Sequence, residues 1–212
     1  MVKLRRKISN INENVEHLEN RINVNDIITE LKSLYAEEIL AWYQYFIPVN
    51  FLKGAQRKNV EDTFKELGND ELHDHAEKLL RRIAELEGDI EGIDEFDKIT
   101  SIATTEYIKP WKGCDAFDLI RSNIDSEKEA IEHYQRVADM TRDRDYTTHS
   151  LILEILADEE EHLRELKDFY QDISGLEFDM NTDEYKYDPN VVEYDMSTYD
   201  IPSSNYVSNS YF

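Results

Sequence analysis

The chain has 212 residues, and its 47 acidic against 24 basic side chains give a formal net charge of −23. This balance argues against a general nucleic-acid-binding protein, which would present a dominant basic face. No apolar run is long enough to cross a bilayer, so we expect no membrane partner. The single cysteine, Cys114, excludes an internal disulfide and a CxxC metal site. Together with an N-terminus that has no signal-peptide stretch, it predicts a reducing, cytoplasmic setting.

Four segments carry the periodicity of amphipathic helices. They span about 26–50, 58–88, 115–141 and 147–174, and Asp26 is the predicted N-cap of the first. In each segment apolar residues recur every three or four positions, which places them on one face of a helix. Glycine and proline fall mostly between the segments, and this supports the boundaries.

The connections between these segments are short, long and short. The long one, between the second and third segments, has room for a short helix near 94–103. Such a pattern gives two antiparallel hairpins joined by a crossover. The sequence therefore predicts an all-α fold, an antiparallel four-helix bundle over residues 26–174 with a long crossover between helices 2 and 3.

The two ends of the chain differ in composition from this bundle. Residues 1–25 form an N-terminal extension with a basic start, "KLRRK" at 3–7. Residues 175–212 are acidic and rich in tyrosine, and they show no helical periodicity. We predict that this tail is disordered or draped on the surface.

An acid interrupts the apolar face of every predicted helix near its middle. These acids are Glu38, Glu71, Glu127 and Glu159, and His75 and His162 accompany the second and fourth. In an antiparallel bundle all of them can meet at one depth. Unpaired buried carboxylates cost several kcal/mol each, so they need cations or must stay protonated. Two metal ions held by four such acids and two imidazoles form the di-iron arrangement of helical bundles.

Each of these residues alone is a weak signal, since acids are common on exposed helix faces. Residues 158–161 are all acidic, so one of them falls on the buried face whatever the phase of the helix. The phase set by Ile155 and Leu166 selects Glu159 and His162 as the inward pair. The joint pattern over four helices favours metal binding over a solvated charge run.

Four stretches resemble the helix motifs of the ferritin superfamily, specifically of its bacterioferritin-like and Dps-like members. They are "EILAWYQY" (38–45), "HAEKLLRRI" (75–83), "EKEAIEHY" (127–134) and "ILADEEEH" (155–162). The resemblance covers about residues 26–174. It implies that the metal-binding and catalytic residues are Glu38, Glu71, His75, Glu127, Glu159 and His162. It also implies that Tyr45 and Tyr134 stand next to ligands and that Asp158 orients a ligand histidine.

One position departs from the family pattern. The family has a glutamate three residues before the histidine of helix 2, and this chain has Leu72 there. Glu71, four residues before His75, can still reach the metals if an inserted residue is absorbed as a π-bulge. In a regular helix Glu71 would only support the ligands, and the bridging ligand would be missing. We favour Glu71 as a ligand.

The resemblance implies a ferroxidase that serves iron storage and oxidative-stress protection. Two Fe(II) ions per subunit would bind the cluster, O2 or H2O2 would take their electrons, and Fe(III) would pass to a mineral. Mn is an alternative metal, whereas haem is not expected, because His73 stands where bacterioferritins carry their haem-ligating methionine. The lack of a fifth helical stripe after Gly175 favours a homo-oligomeric cage of twelve subunits over one of twenty-four.

Two other functions stay open at this point. One is a rubrerythrin-like di-iron peroxidase or oxidase without mineral storage. The other is a DNA-associated protective shell with residues 3–7 as a basic arm, against which the acidic total argues. His17, His133 and His149 are interpreted as surface or packing residues, because the helical pattern does not select them as ligands.

Overall fold

The long helices of the chain form an antiparallel four-helix bundle. The computed structural model describes residues 23–54, 56–104 and 115–174, together with the backbone of two short strands farther along the chain. The helical elements are α1 (Val24–Val49), α2 (Arg57–Asp70), a π-helical turn (Glu71–His75), α3 (Ala76–Glu85), α4 (Phe96–Ile102), α5 (Ala116–Thr141) and α6 (Tyr146–Ser174). The elements α2, π turn and α3 follow one another without a break and make the second long helix. The predicted fold class is confirmed.

The connections have the predicted short, long and short order. Residues 50–56 join α1 to α2, and residues 142–145 join α5 to α6. The crossover between α3 and α5 contains α4, inside the predicted range of 94–103. Ile99 of α4 is buried against Ala36 and Leu40 of α1, so the crossover packs on the first helix. Residues 105–114 lie outside the described part of the crossover.

Helix α1 begins earlier than predicted. The expected N-cap was Asp26, but the cap is Asn23, whose side-chain oxygen accepts a hydrogen bond of 3.1 Å from the backbone N–H of Asn25. Asn and Asp are equally good caps, so the sequence offers two starts. Asp26 lies instead in the first turn, where its charge interacts favourably with the helix dipole.

Two apolar layers fill the bundle above and below its middle. One layer joins the start of α1 to the end of the second long helix, as antiparallel packing requires, and comprises Ile27, Leu31, Leu34, Leu79, Ile83, Tyr134, Val137, Ala138, Ile152 and Ile155. The other layer comprises Tyr45, Phe64, Leu67, Ile120, Ile124, Leu166 and Tyr170, all buried. In each long helix, the one acid singled out in the sequence lies between these two layers.

Helices α1 and α2 approach each other closely at Gly68. A Cβ atom at this position would lie 3.1 Å from the Cβ of Tyr45 and 3.7 Å from Cδ1 of Trp42. A glycine inside a helix normally weakens it, by about 0.5–1 kcal/mol relative to alanine. Here the small size of Gly68 lets α2 pack closely against Tyr45, whose ring reaches the middle of the bundle.

The predicted terminal regions are described only in part. Leu176–Asp179 (β1) and Glu184–Tyr187 (β2) pair as antiparallel strands, with Leu176 opposite Tyr187, in a second unit of the chain that begins at Gly175. Two four-residue pieces of the predicted tail therefore have regular backbone structure, and its surface placement stays a prediction. The basic start at residues 3–7 lies outside the described residues. Among the described helices none is long and apolar enough to span a membrane.

Candidate metal centre

The middle of the bundle holds a buried cluster of carboxylates and imidazoles. Its members come from all four long helices, and none is more than 4% exposed. They are Glu38 from α1, Glu71 and His75 from the π turn, Glu127 from α5, and Glu159 and His162 from α6. The structure thus brings together all six residues selected from the sequence.

The cluster divides into two overlapping sets of potential metal ligands. Glu38, Glu71, His75 and Glu159 form one set, and Glu71, Glu127, Glu159 and His162 form the other. Within each set the ligand atoms all lie within 4.8 Å of one another. Because Glu71 and Glu159 belong to both sets, metal ions bound in the two sets would share these two carboxylates.

The π turn places Glu71 between the two histidines. The N–H of Ala76 bonds to the carbonyl of Glu71, five residues back, so this turn contains one residue more than an α-helical turn. Oε2 of Glu71 lies 3.0 Å from Nδ1 of His75, and Oε1 lies 3.1 Å from Nδ1 of His162. The π-bulge expected from Leu72 is confirmed. The inserted residue keeps both Glu71 and His75 on the inward face.

The two tyrosines expected near the ligands cross between α1 and α5. Tyr45 of α1 donates its hydroxyl proton to Oε1 of Glu127, and Tyr134 of α5 donates to Oε1 of Glu38. Burial raises the pKa of both hydroxyls well above the usual value, and the nearby carboxylates raise them further. Both tyrosines are therefore protonated donors that hold one carboxylate each.

The outer nitrogen of each histidine faces an aspartate. Nε2 of His75 lies 3.6 Å from Oδ2 of Asp158, the residue predicted to orient a ligand histidine, and this separation is too long for a direct hydrogen bond. Nε2 of His162 lies 3.7 Å from Oδ2 of Asp70, a counterpart that the sequence analysis missed. The signal was present, because Asp70 precedes Glu71 just as Asp158 precedes Glu159.

Burial and neighbouring charges set the protonation of this cluster in the absence of metal. Burial raises the pKa values of Glu38 and Glu127 well above their usual range, and the neighbouring charges of Glu159 and Glu71 raise them further. Burial acts in the same direction on Glu71, but hydrogen bonds from His162 and His75 outweigh it, so its pKa is lowered. Without metal, protons thus offset much of the negative charge of the cluster.

The same contacts keep both imidazoles charged in the absence of metal. Burial opposes the charged form of His162, but the hydrogen bond and charge of Glu71 raise its pKa to about 9. The pKa of His75 is raised more strongly, because three carboxylates surround its Nδ1 and outweigh the effect of burial.

The donor set fits two divalent metal ions. Oε1 of Glu159 is buried and accepts no hydrogen bond within the described structure, although it lies 2.9 Å from Nδ1 of His75. Without metal the imidazolium of His75 offsets the charge of this oxygen, but once that ring gives up its proton to bind metal, the buried oxygen needs a metal cation instead. Four carboxylates balance the four positive charges of two divalent ions. Oxygen donors with one imidazole for each ion suit iron or manganese.

Two cavities flank the cluster. One of about 310 Å³ lies on the side of the second long helix and α6 and is lined by His75, His162, Leu67 and six acids, Glu66, Asp70, Asp74, Asp158, Glu161 and Glu165. The other, of about 20 Å³, lies between α1 and α5, and its lining includes all four ligand carboxylates. The first suits the attraction of cations, and the second has room for about one water molecule.

Of the remaining histidines, His17 lies outside the described residues, and the others divide between surface and interior. The side chain of His73 is 66% exposed, in agreement with its interpretation as a surface residue. His149 is half-buried, and its Nδ1 lies 2.9 Å from the carbonyl oxygen of Ala138, a packing role. His133 is buried, and the pattern analysis gave no sign of its partner Glu37, which lies 2.9 Å away.

Comparisons with known proteins point to one family. Residues 28–176 match the family model described as a ferritin-like domain. The bacterioferritin-related dodecameric thioferritin of Bacteroides fragilis is 36% identical, with a TM-score of 0.68 over 77% of this chain and 95% of that one. The Dps protein of Thermosynechococcus elongatus is 19% identical, with a TM-score of 0.61 over 68% of this chain and 90% of that one. The bacterioferritin of Desulfovibrio desulfuricans, described with a diiron site, is 22% identical, with a TM-score of 0.57 over 72% of this chain and 82% of that one.

Proposed function

Since the chain belongs to the ferritin-like domain family, we propose that it is a ferroxidase, which oxidises Fe(II) with O2 or H2O2 at the buried Glu/His cluster. The single observation that carries this proposal is the sharing of Glu71 and Glu159 between two ligand sets. Shared carboxylates hold two metal ions close together, and a metal pair can supply two electrons to one oxidant molecule.

The six residues of the cluster have distinct roles in this proposal. Glu38 and His75 would hold one ion, and Glu127 and His162 would hold the other. Glu71 and Glu159, which belong to both ligand sets, would contribute to both ions. The carboxylates stabilise the higher charge of Fe(III), and the imidazoles maintain affinity for Fe(II). Two Fe(II) ions give two electrons, which with two protons reduce O2 to H2O2 or H2O2 to two waters.

The surrounding residues orient the cluster and exclude bulk water. Tyr45 fixes one oxygen of Glu127, and Tyr134 fixes one oxygen of Glu38. The other oxygen of each carboxylate is left for a metal. The two apolar layers close the site above and below. Fe(II) would approach through the acidic cavity beside the histidines, while the small cavity between α1 and α5 would admit the oxidant.

Storage and assembly follow from the same proposal. The Bacteroides fragilis relative is a dodecamer, which supports a homo-oligomeric cage of twelve subunits rather than twenty-four for this chain. Fe(III) leaving the centre would accumulate as a mineral inside such a cage. Removal of Fe(II) and H2O2 together would protect a reducing compartment such as the cytoplasm from oxidative damage.

Anaerobic loading with Fe(II) followed by addition of O2 or H2O2 tests the proposal. The protein should bind two Fe(II) per subunit and oxidise them, as followed by Fe(III) absorbance, while a Glu159→Ala/His162→Ala variant should lose both properties. Glu160→Ala, an exposed neighbour in the same acidic run, is the matched control and should behave as the unaltered protein. Equal oxidation by the double variant would refute the proposal.

The fate of the iron separates the storage function from its alternatives. Light scattering on protein loaded with excess iron should give a cage mass that includes a mineral. Oxidation without retained iron would favour a rubrerythrin-like peroxidase or oxidase. Mn(II) binding in preference to Fe(II) would assign manganese as the metal.

A further inference from the structure

A second buried polar cluster lies next to the metal centre but outside its ligand sets. It joins Glu30 and Glu37 of α1 to His133 of α5 and to Thr104 at the end of the described crossover. Glu37 is 3% exposed and His133 is 1% exposed, so both are removed from water. A buried pair of this kind is costly to form, so its place beside the centre calls for an explanation.

Both oxygens of Glu37 are occupied. Oε1 accepts a 2.9 Å hydrogen bond from the backbone N–H of Thr104 and a second bond from the hydroxyl of the same residue. Oε2 lies 2.9 Å from Nδ1 of His133. These bonds tie Glu37 to α5 and to the crossover.

His133 is held as an imidazolium by this geometry. Its Nδ1 faces Glu37, and its Nε2 lies 3.0 Å from Oε2 of Glu30. An ionised carboxylate only accepts hydrogen bonds, so both ring nitrogens must carry a proton to bond both partners. Burial lowers the pKa of His133, but Glu37 and Glu30 outweigh that effect and raise it.

Glu37 also lines the small cavity that reaches the metal centre. The lining of this cavity of about 20 Å³ includes Glu37 and the four ligand carboxylates. Glu37 directly precedes the ligand Glu38 in α1. If Oε2 lost its contact with His133, a fifth carboxylate would thus offer a ligand oxygen at the cavity that the proposed function assigns to the oxidant.

Charge counting shows what His133 contributes. The four ligand carboxylates balance two divalent ions, so an ionised Glu37 would add one uncompensated negative charge at the cavity. The imidazolium of His133 cancels that charge at a distance of 2.9 Å. The outer carboxylate of Glu30 is 40% exposed and is screened by water.

We propose that His133 is a positioning residue, which keeps Glu37 out of the metal ligand set and so leaves the cavity between α1 and α5 open to the oxidant. The inference rests on the proposed function, because it requires a metal pair at the cluster. His133 acts through Glu37 and touches neither metal nor oxidant.

Co(II) binding to the full chain tests this role without any oxidation step. Glutamine at position 133 can retain the contact with Glu30 but has no donor at the position of Nδ1, so His133→Gln should free Oε2 of Glu37 to bind metal, while Thr104 still holds Oε1. An added oxygen ligand raises the coordination number of Co(II) and weakens its visible absorption. The uncompensated charge should lower the Co(II) dissociation constant by about tenfold, as expected for one charge acting through a protein interior.

A double variant distinguishes positioning from mere structural support. In Glu37→Gln/His133→Gln the released side chain is neutral and a poor ligand, so the visible spectrum and dissociation constant should return to within about twofold of the unaltered protein. If His133 had a purely structural role, the spectrum and the Co(II) dissociation constant of the double variant would differ from those of the unaltered protein at least as much as those of His133→Gln do. His149→Gln, which removes a half-buried histidine remote from the cavity, is the matched control and should leave Co(II) binding unchanged.

The outcomes separate this inference from the proposed function. Co(II) binding by the unaltered protein with an identical spectrum and dissociation constant in His133→Gln would overturn the positioning role alone. An altered spectrum that the double variant fails to restore would overturn it as well. Failure of the unaltered protein to bind Co(II) at the cluster would overturn both proposals.

Discussion

Glu71 and His162 are 91 residues apart in the sequence, yet Oε1 of Glu71 lies 3.1 Å from Nδ1 of His162. The other oxygen of the same carboxylate lies 3.0 Å from Nδ1 of His75. Glu71 therefore faces both halves of the candidate centre, whereas Glu38 belongs to one ligand set alone. This difference between shared and unshared carboxylates leads to the first prediction.

Glu71→Gln should weaken the binding of both metal ions, and Glu38→Gln should weaken mainly one. The amide keeps the size of the side chain but loses its charge and most of its metal affinity. We expect calorimetric Co(II) titration to show two weakened sites in the first variant and one weakened plus one near-normal site in the second. Glu160→Gln, a change at an exposed neighbour of Glu159, is the control and should keep both sites. Loss of only one site in Glu71→Gln would contradict the bridging role.

Tyr45→Phe should destabilise the metal-free protein and disturb the metal position held by Glu127. The change removes the only hydroxyl that bonds Oε1 of Glu127 in the described structure. A buried hydrogen bond to a carboxyl group contributes about 1–3 kcal/mol, so the free energy of unfolding should fall by that amount. Chemical denaturation measures it. Tyr134→Phe should have a similar effect through Glu38, and no change in stability for either variant would argue against these bonds.

The stability of the metal-free protein and its metal affinity should respond to pH in opposite directions. The pKa of His162 is raised from 6.5 to about 9 in the folded state, so its contribution to stability is full below about 6.5 and is lost as the pH rises through 9. The thermal midpoint without metal should therefore fall between pH 7 and 9. Over the same range Zn(II) affinity should increase, because the metal displaces a proton from this ring.

His162→Gln is the control for that pH dependence. It removes the titrating ring, so the decline in thermal midpoint between pH 7 and 9 should become shallower, and the rise in Zn(II) affinity should be smaller. An unchanged slope in this variant would assign the titration to other groups.

Gly68→Ala should lower stability although alanine favours helices. The helix propensity gain is about 1 kcal/mol, but the new Cβ would lie 3.1 Å from the Cβ of Tyr45. Overpacking of this kind costs about 1–3 kcal/mol, because the backbones of α1 and α2 must separate. A net loss of about 1 kcal/mol is expected in chemical denaturation. A gain in stability would show that the two helices part without strain.

Much of the fold could be predicted from the sequence, for a local reason. The four long helices end within a few residues of their predicted limits, because the 3.6-residue repeat of apolar side chains marks a buried face in any packing arrangement. The same repeat identified Glu38, Glu127, Glu159 and His162 as inward residues. The predicted N-cap of α1, Asp26, lies three residues after the observed one, Asn23. Both residues are equally suitable caps, and local chemistry does not choose between them.

The periodicity of the helices and the acid inside each of them were determined by the sequence alone, since both depend on residues three or four positions apart. The tertiary structure decided the pairings across helices, such as Tyr45 with Glu127 and Glu37 with His133, which lie 82 and 96 residues apart. Helical periodicity predicts which face of a helix is buried, but it does not predict which charged residue of another helix will pair with a buried side chain on that face. The burial of Glu37 beside Glu38 is therefore explained by the imidazolium that α5 brings to Oε2 and by the Thr104 donors that the crossover brings to Oε1.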